Sequence, residues 1–502
     1  MSEASGHLPA PAAPESASNG APVIKRRRRI RASEAWKLRP EVWYVTVGLG
    51  LVVLAGGGTP VWARALVLLG IGGSLWKRPP AESPSRLFDA ALLVLLAATL
   101  VSSFAPAKWF GVPSWRMDLT DLGVLLPWTN APSPWMAGEA FVQMLAGIGI
   151  FYAWWNFRPD HECRKWAFWG IAGLTTLLAI GLIVGSVFGL KYPLATEARI
   201  FSYFPNRNQT ALWFCIGGVV AFGMVLESMP RRKRAAAAIA GVMVVVCLLA
   251  LILSLSRMAL VLFTLGCVAV VVVRFGRDAG NYFVRFLVPM AILGVSLLVF
   301  FERDTLTRTQ VFGGEGDNRE FRLELWGDTL DLAKRQLAGA GLGQFQDVYP
   351  QYRVRAHTFQ AVYHPDSDWM WLLGETGWAG LTAAVVAVGA LVALFLSRAA
   401  RQSGPYRQLA TISAGLMLIH SLVDVPMHRF GTWLLMAWLL GLAAPERAPV
   451  RGLIPSWAFR VLGVVLILTG GGWLLAEAGM STQTTVIEER AMAPSQLAIA
   501  NG

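Results

Sequence analysis

Apolar residues run through this chain in stretches far longer than a soluble helix face needs. Taken in order, they predict membrane spans near 42–57, 61–76, 87–104, 138–157, 166–190, 208–228, 236–254, 257–273, 286–302, 369–396, 408–424, 430–444 and 457–475. Several reach the ~17–25 apolar residues that one helical crossing requires. The fold expected is all-α: a polytopic integral membrane protein with about 12–13 transmembrane helices. Basic residues then fix its direction. Threaded from a cytoplasmic N-terminus, "WKRPP", "FRPDHECRKW", "PRRKR", "RFGRDAGNYFVR", "SRAARQSGPYRQ" and "ERAPVRG" all fall on the side of "KRRRR" at 25–29, as the positive-inside rule asks.

That threading sends four longer connections to the outer face: 105–137, 191–207, 303–368 and the turn "DVPMHR" at 424–429. Five parts follow. Residues 1–40 form a disordered basic N-terminus, 41–302 carry helices 1–9 and 303–368 form the large periplasmic loop between spans 9 and 10. Residues 369–475 carry helices 10–13, and 476–502 form a C-terminal tail. The first span shows no cleavage site and reads as a retained anchor. Loops this long in a compact protein are usually functional. Within it, 319–336 places Phe321, Leu325, Trp326, Leu330 and Leu332 at near-helical spacing, which predicts an amphipathic helix along the membrane surface. "GAGLGQF" at 339–345 is a glycine-rich turn and a poor phosphate cradle, since it has no Walker lysine.

Composition agrees with the pattern. The 502 residues are 55% hydrophobic and only 15% charged, against roughly 25% charge in soluble domains. A net charge of +13 would suggest nucleic acid in a soluble chain; here it sits in the orienting loops, and no nucleic-acid partner is expected. Cys163, Cys215, Cys247 and Cys267 have neither a disulfide framework nor metal-ligand spacing.

The outer face gathers ionisable groups. "FPNRNQTA" holds Asn206, Arg207 and Asn208, and "SLSRMAL" puts Arg257 at the outer turn of a hairpin spanning about 235–273. The loop adds Arg319 and Arg322. A lone interfacial arginine more often just snorkels, but several on one face suit an anion, because the guanidinium fork matches phosphate oxygens and stays charged when partly desolvated. "YHPDSDW" supplies His364, Asp366 and Asp368, with His364 able to take a proton from a hydroxyl. The structural alternative makes Asp366 or Asp368 the N-cap of the tenth span. A metal site of His364, Asp366 and Asp368 is disfavoured, since oxygen-rich ligation wants more carboxylates, and neither metal nor cofactor is expected. His420 and Asp424, four apart, belong on one helix face, and Glu375 is a further ionisable group inside a span.

"PNRNQTA", "LSLSRMAL", "NREFRLELW" with "GAGLGQFQDVYPQY", and "HPDSDWMWLLGETGWAGL", in this order over roughly 195–440, resemble the bacterial O-antigen ligase and polymerase membrane family. The resemblance implies a glycosyltransferase of the bacterial inner membrane with its active site facing the periplasm. Its donor would be an undecaprenyl-pyrophosphate-linked glycan, and its acceptor lipid A core, a growing polysaccharide or a protein hydroxyl. The family arginines correspond to Arg207, Arg257 and Arg322. The family's histidine motif often reads histidine, any residue, histidine, asparagine, where this chain has His364, Pro365, Asp366 and Ser367. The base is then either His364 or Asp366. The site expected is His364, Asp366, Arg257 and Arg322 for chemistry, with Arg207, Asn206, Asn208, Arg319, Asp368, His420 and Asp424 binding substrate. A transporter or lipid flippase, and a scaffold with a lost active site, are the other classes that fit many spans.

Overall fold

A computed structural model describes residues 40–190, 201–229, 233–276, 318–356, 362–397, 404–445 and 450–500. The expected ninth span and "KRRRR" lie outside them. Among the described residues the chain is a set of α-helices with a single two-residue ribbon, Glu82–Ser83 (β1) paired antiparallel with Val450–Arg451 (β2).

The helices follow the apolar runs: α1 Pro40–Leu54, α2 Val61–Lys77, α3 Arg86–Phe104, then the short α4 Ser114–Asp121. Next come α5 Pro134–Phe157, α6 His161–Val187, α7 Arg207–Ser228, α8 Arg234–Leu253 and α9 Arg257–Phe275. The loop holds α10 Asn318–Arg335 and α11 Phe345–Val348, followed by α12 Asp368–Leu396, α13 Pro405–His420, α14 Phe430–Leu442 and α15 Ser456–Ala500. Eight of these are long and apolar enough to cross a membrane: α3, α5 to α9, α12 and the Ser456–Gly479 part of α15. The protein is therefore a multi-pass membrane protein associated with the lipid bilayer. The expected spans 61–76 and 408–424 form α2 and α13, which at 17 and 16 residues sit at or below the lower limit for a crossing. α15 continues without a break into the segment expected to be a tail.

α7 is the central helix, with 89% of its apolar window buried. It packs against α6, α8, α9 and α13, while α14 packs on α5, α12 on α3, and α15 along α2. At the end opposite the loop, buried Arg164 and Arg407 donate to the carbonyls at and just past the end of α14, Leu442 and Ala444 for Arg164 and Ala443 for Arg407. Those carbonyls have no intrahelical partner, so a cation at a helix C-terminus answers both the bond and the dipole.

The loop folds on itself. The apolar stripe of α10 is not spread on a lipid surface as expected: Leu325 packs with Phe345, Tyr349 and Ala356, and Leu332 with Val348 and Tyr352. Each fully buried large side chain contributes about 1.5–3 kcal/mol in such a cluster, so the loop's own core takes up the face. Asp328, fully buried, ties the unit together by accepting from the backbone N–H groups of Arg355 and Ala356 and from the Tyr349 hydroxyl. The four cysteines are buried free thiols.

Candidate functional site

The turn after α13, the start of α12 and the loop unit meet at one end of the bundle. The carboxylate of Asp366 lies 3.3 Å from Nε of Arg322 and 3.0 Å from Nδ1 of His364. The first contact is a hydrogen bond; the second has ion-pair distance, but the imidazole is not aligned to bond. Asp366 sits at φ 50°, a left-handed backbone that an aspartate adopts more readily than most residues. Trp326 on α10 donates its indole N–H to the Pro365 carbonyl at 2.8 Å, holding the segment on the loop unit. Burial opposes the Asp366 charge, but contact with His364 and the Arg322 guanidinium outweigh it, so its carboxyl is held below the usual carboxylate range.

A depressed carboxylate contributes its anchoring fully above the unfolded pKa, ~3.9 for aspartate, and loses it as pH falls through the lowered value. Hydrogen exchange over residues 362–367, corrected for intrinsic rates, should show unchanged protection from pH 7 to about 5 and release only below about 4. Protection lost between pH 7 and 5 would refute the latch.

Asp368 does not serve as the helix cap. The cap position of α12 is Ser367, whose side chain makes no capping bond, and Asp368 is the first helical residue. Its N–H donates to the carbonyls of Ser421 and Asp424, and its carboxylate accepts from the N–H groups of Met427 and His428. Nδ1 of His428 lies 2.7 Å from the same carboxylate. This pairs Asp368 with a histidine that the sequence reading passed over; its sole signal was the outer turn "DVPMHR". Trp371, one turn along α12, stacks on the His428 ring at 4.0 Å and 1° and on the His364 ring at 5.5 Å and 25°. Its indole N–H donates to Glu375 Oε1 at 2.6 Å. Among the described residues Glu375 Oε2 is buried without a hydrogen bond, 4.0 Å from His428 Nε2. One indole thus links the loop pair His364 and Asp366 to the helix pair Asp368 and His428.

A cavity of about 590 Å³ opens beside this group between α3, α5, α12 and α14. Its walls are mostly apolar, including Phe88, Leu92, Ile148, Phe151, Leu391 and Leu440. Asp368, Glu375, His428, Arg429, Arg64 and Glu139 line it as well. Arg64 is engaged by Glu139 through one terminal nitrogen, and among the described residues Nε of Arg64 and Nε of Arg429 are both buried without a partner. Neither arginine was singled out in the sequence.

The glycine-rich turn proves to be a brace. α12 breaks at Gly377, whose φ 66° and ψ −170° belong to a region essentially restricted to glycine. The carbonyls of Gly374 and Glu375, freed by the break, accept from the N–H groups of Ala340 and Gly341 at 2.9 and 3.0 Å. Ser103, Asn130 and Gln344 bond the same turn to the end of α3 and the start of α5. A loop segment thus fixes where Glu375 stands.

Other expected residues are placed apart from the cavity. Arg207 and Arg257 are the first residues of α7 and α9, exposed, and neither lines it. Ser254–Ser256 forms the hairpin turn expected before Arg257. Asn206 caps α7, its side chain accepting from the Asn208 N–H at 2.9 Å. The side chain of Arg319 lies outside the described residues. His420 ends α13 and Asp424 falls in the following turn rather than on the helix; their side chains are 4.0 Å apart and buried, and among the described residues both His420 ring nitrogens are unbonded. Among the described residues, no three His, Cys, Asp or Glu side chains cluster as a metal site.

This is a polytopic helical membrane protein with an ionic group at the edge of an apolar cavity. A family model described as O-antigen ligase matches residues 242–385, under a third of the chain. The matched segment contains Arg257, Arg322, His364, Asp366, Asp368 and Glu375 but ends before His428 and Arg429. No curated protein matches the chain.

Proposed function

We propose that the protein is a membrane glycosyltransferase of the O-antigen ligase or polymerase type, acting at the periplasmic face of the bacterial inner membrane. It transfers glycan from an undecaprenyl-pyrophosphate-linked donor to a hydroxyl of lipid A core, a growing polysaccharide or a protein. The observation that supports this best is the cavity: apolar walls for a lipid chain, joined to arginines and carboxylate–histidine pairs for a charged, hydroxyl-bearing head group.

The acceptor oxygen attacks the anomeric carbon as the bond from that carbon to the diphosphate oxygen breaks. The electron pair leaves with the diphosphate, and the hydroxyl proton passes to the His364 and Asp366 pair. Arg322, beside that pair, and Arg429, in the cavity, stabilise the departing charge, with Arg207 and Arg257 as further cations at the same face. The reaction as written needs no metal.

The break in α12 favours a second reading, since broken helices near a polar site are common in transporters. Purified protein given undecaprenyl-pyrophosphate-linked oligosaccharide, candidate acceptors and EDTA decides between them. Glycan transfer that persists in EDTA is expected. No transfer to any acceptor, with donor instead moved across a proteoliposome bilayer, would replace the enzyme by a flippase.

A further inference from the structure

A second pocket, of about 340 Å³, lies in the loop region, away from the cavity. Trp115, Tyr352, Asp118, Arg335, Gln336 and Gln351 line it. With Phe110 and Asn130, three aromatic rings are present with a carboxylate, a guanidinium and three carboxamides. Asp118, Arg335 and Gln351 are exposed. Trp115 is anchored by packing against the Leu332, Val348 and Tyr352 cluster, and among the described residues its indole N–H is buried without a hydrogen-bond partner. Gln336 donates to the Tyr352 hydroxyl at 2.8 Å, which fixes both side chains. The pocket thus combines fixed aromatic side chains with exposed polar and charged ones.

The chemistry selects the ligand. A pyranose has a C–H face that lies on an aromatic ring and a rim of hydroxyls that both donate and accept. Carboxamides, carboxylates and guanidinium groups offer paired partners for neighbouring hydroxyls. A lipid chain would find too many polar groups here, and a polyanion would meet Asp118. Position adds to this. Arg335 and Gln336 close the C-terminal end of α10 and Arg322 stands near its N-terminal end, so 1.5 Å per residue separates them by about 20 Å. Gly339 lines this pocket and packs on the Glu375 carbonyl, which ties the pocket to the broken helix.

We infer that this pocket is a distal sugar subsite, holding an oligosaccharide whose reacting end lies at the His364, Asp366 and Arg322 group. The ligand is the glycan of either the donor or the acceptor, and the inference rests on the proposed glycosyl transfer for its biological setting but not for its test.

Saturation-transfer difference NMR of full-length protein in detergent, with a free oligosaccharide of the type being transferred, reads binding without turnover. Transfer kinetics read the rest, with donor and acceptor each supplied in long and single-sugar forms. Trp115→Ala, Asp118→Asn and Gln351→Ala should weaken oligosaccharide binding and raise KM for the long form about tenfold or more, leaving kcat and the single-sugar KM unchanged. The exposed Asp118 and Gln351 keep the test sound if Trp115→Ala disturbs the loop. Whichever long substrate shows the rise is the one held there. Wild-type binding and KM in the Asp118 and Gln351 variants would overturn the subsite, as would equal effects on long and short forms. Oligosaccharide binding that these variants abolish, in a protein that transfers nothing, would keep the subsite and overturn the transferase.

Discussion

Replacing His364 with alanine lowers glycan transfer by about 10²- to 10⁴-fold, the usual worth of a positioned proton acceptor, while donor binding persists. Asp366→Asn keeps the shape and removes the charge that Arg322 and His364 both address, so it should lie in the same range if the pair works as one. Arg322→Ala removes a charge-stabilising donor, worth about 2.7–4 kcal/mol of barrier by comparison with oxyanion-site variants. It also releases Asp366, so its loss should not add to that of Asp366→Asn, because contacting residues couple. Initial rates with saturating donor and acceptor test all three. Rates within twofold of wild type for both His364→Ala and Asp366→Asn would remove the proton-transfer role from this pair.

The second large effect comes from a residue that does no chemistry. Gly377→Ala should lower the melting temperature in detergent and reduce transfer at least tenfold. A Cβ at that position would stand 2.1 Å from the Leu337 carbonyl oxygen, and the mirror position Gly339 would meet the Glu375 carbonyl at 2.3 Å. Backbone atoms cannot step aside as a flexible side-chain tip can. The disfavoured backbone alone costs about 1–3 kcal/mol, and the turn would have to retreat from the carbonyls of Gly374 and Glu375, at ~1 kcal/mol for each bond lost. Gly374→Ala is the control: its Cβ would meet only side chains, at 3.1 Å and beyond. A Gly377→Ala protein that melts and transfers like wild type would show that the brace is dispensable.

Much of the helical frame was legible because lipid leaves a strong mark. Long apolar runs, basic turns and the polar interruption before Arg257 each report a local fact, and α1 to α3, α5 to α9 and α12 to α15 lie where those runs lie. The loop pair was legible too, since His364 and Asp366 are neighbours in sequence and Arg322 comes from a helix whose periodicity is plain. His428 was not. It matters through Asp368, sixty residues earlier, and through stacking on Trp371, and nothing in "DVPMHR" announces either partner. The glycine turn misled for the same reason: its N–H groups serve carbonyls of a helix about thirty-five residues on. The amphipathic stripe of α10 was read correctly as a stripe, but period alone cannot say whether lipid or protein covers it.

The break at Gly377 also sets a depth. From there to Leu396 the helix rises about 30 Å at 1.5 Å per residue, and the hydrocarbon of a bilayer is about 30 Å thick. The piece after the break is therefore long enough to span a bilayer by itself, and the two and a half turns before it, which carry Asp368, Trp371 and Glu375, are left over for the head-group level. In the proposed transfer, a lipid-linked diphosphate could then meet these residues without leaving its own leaflet, and a water-borne hydroxyl could reach them without entering oil.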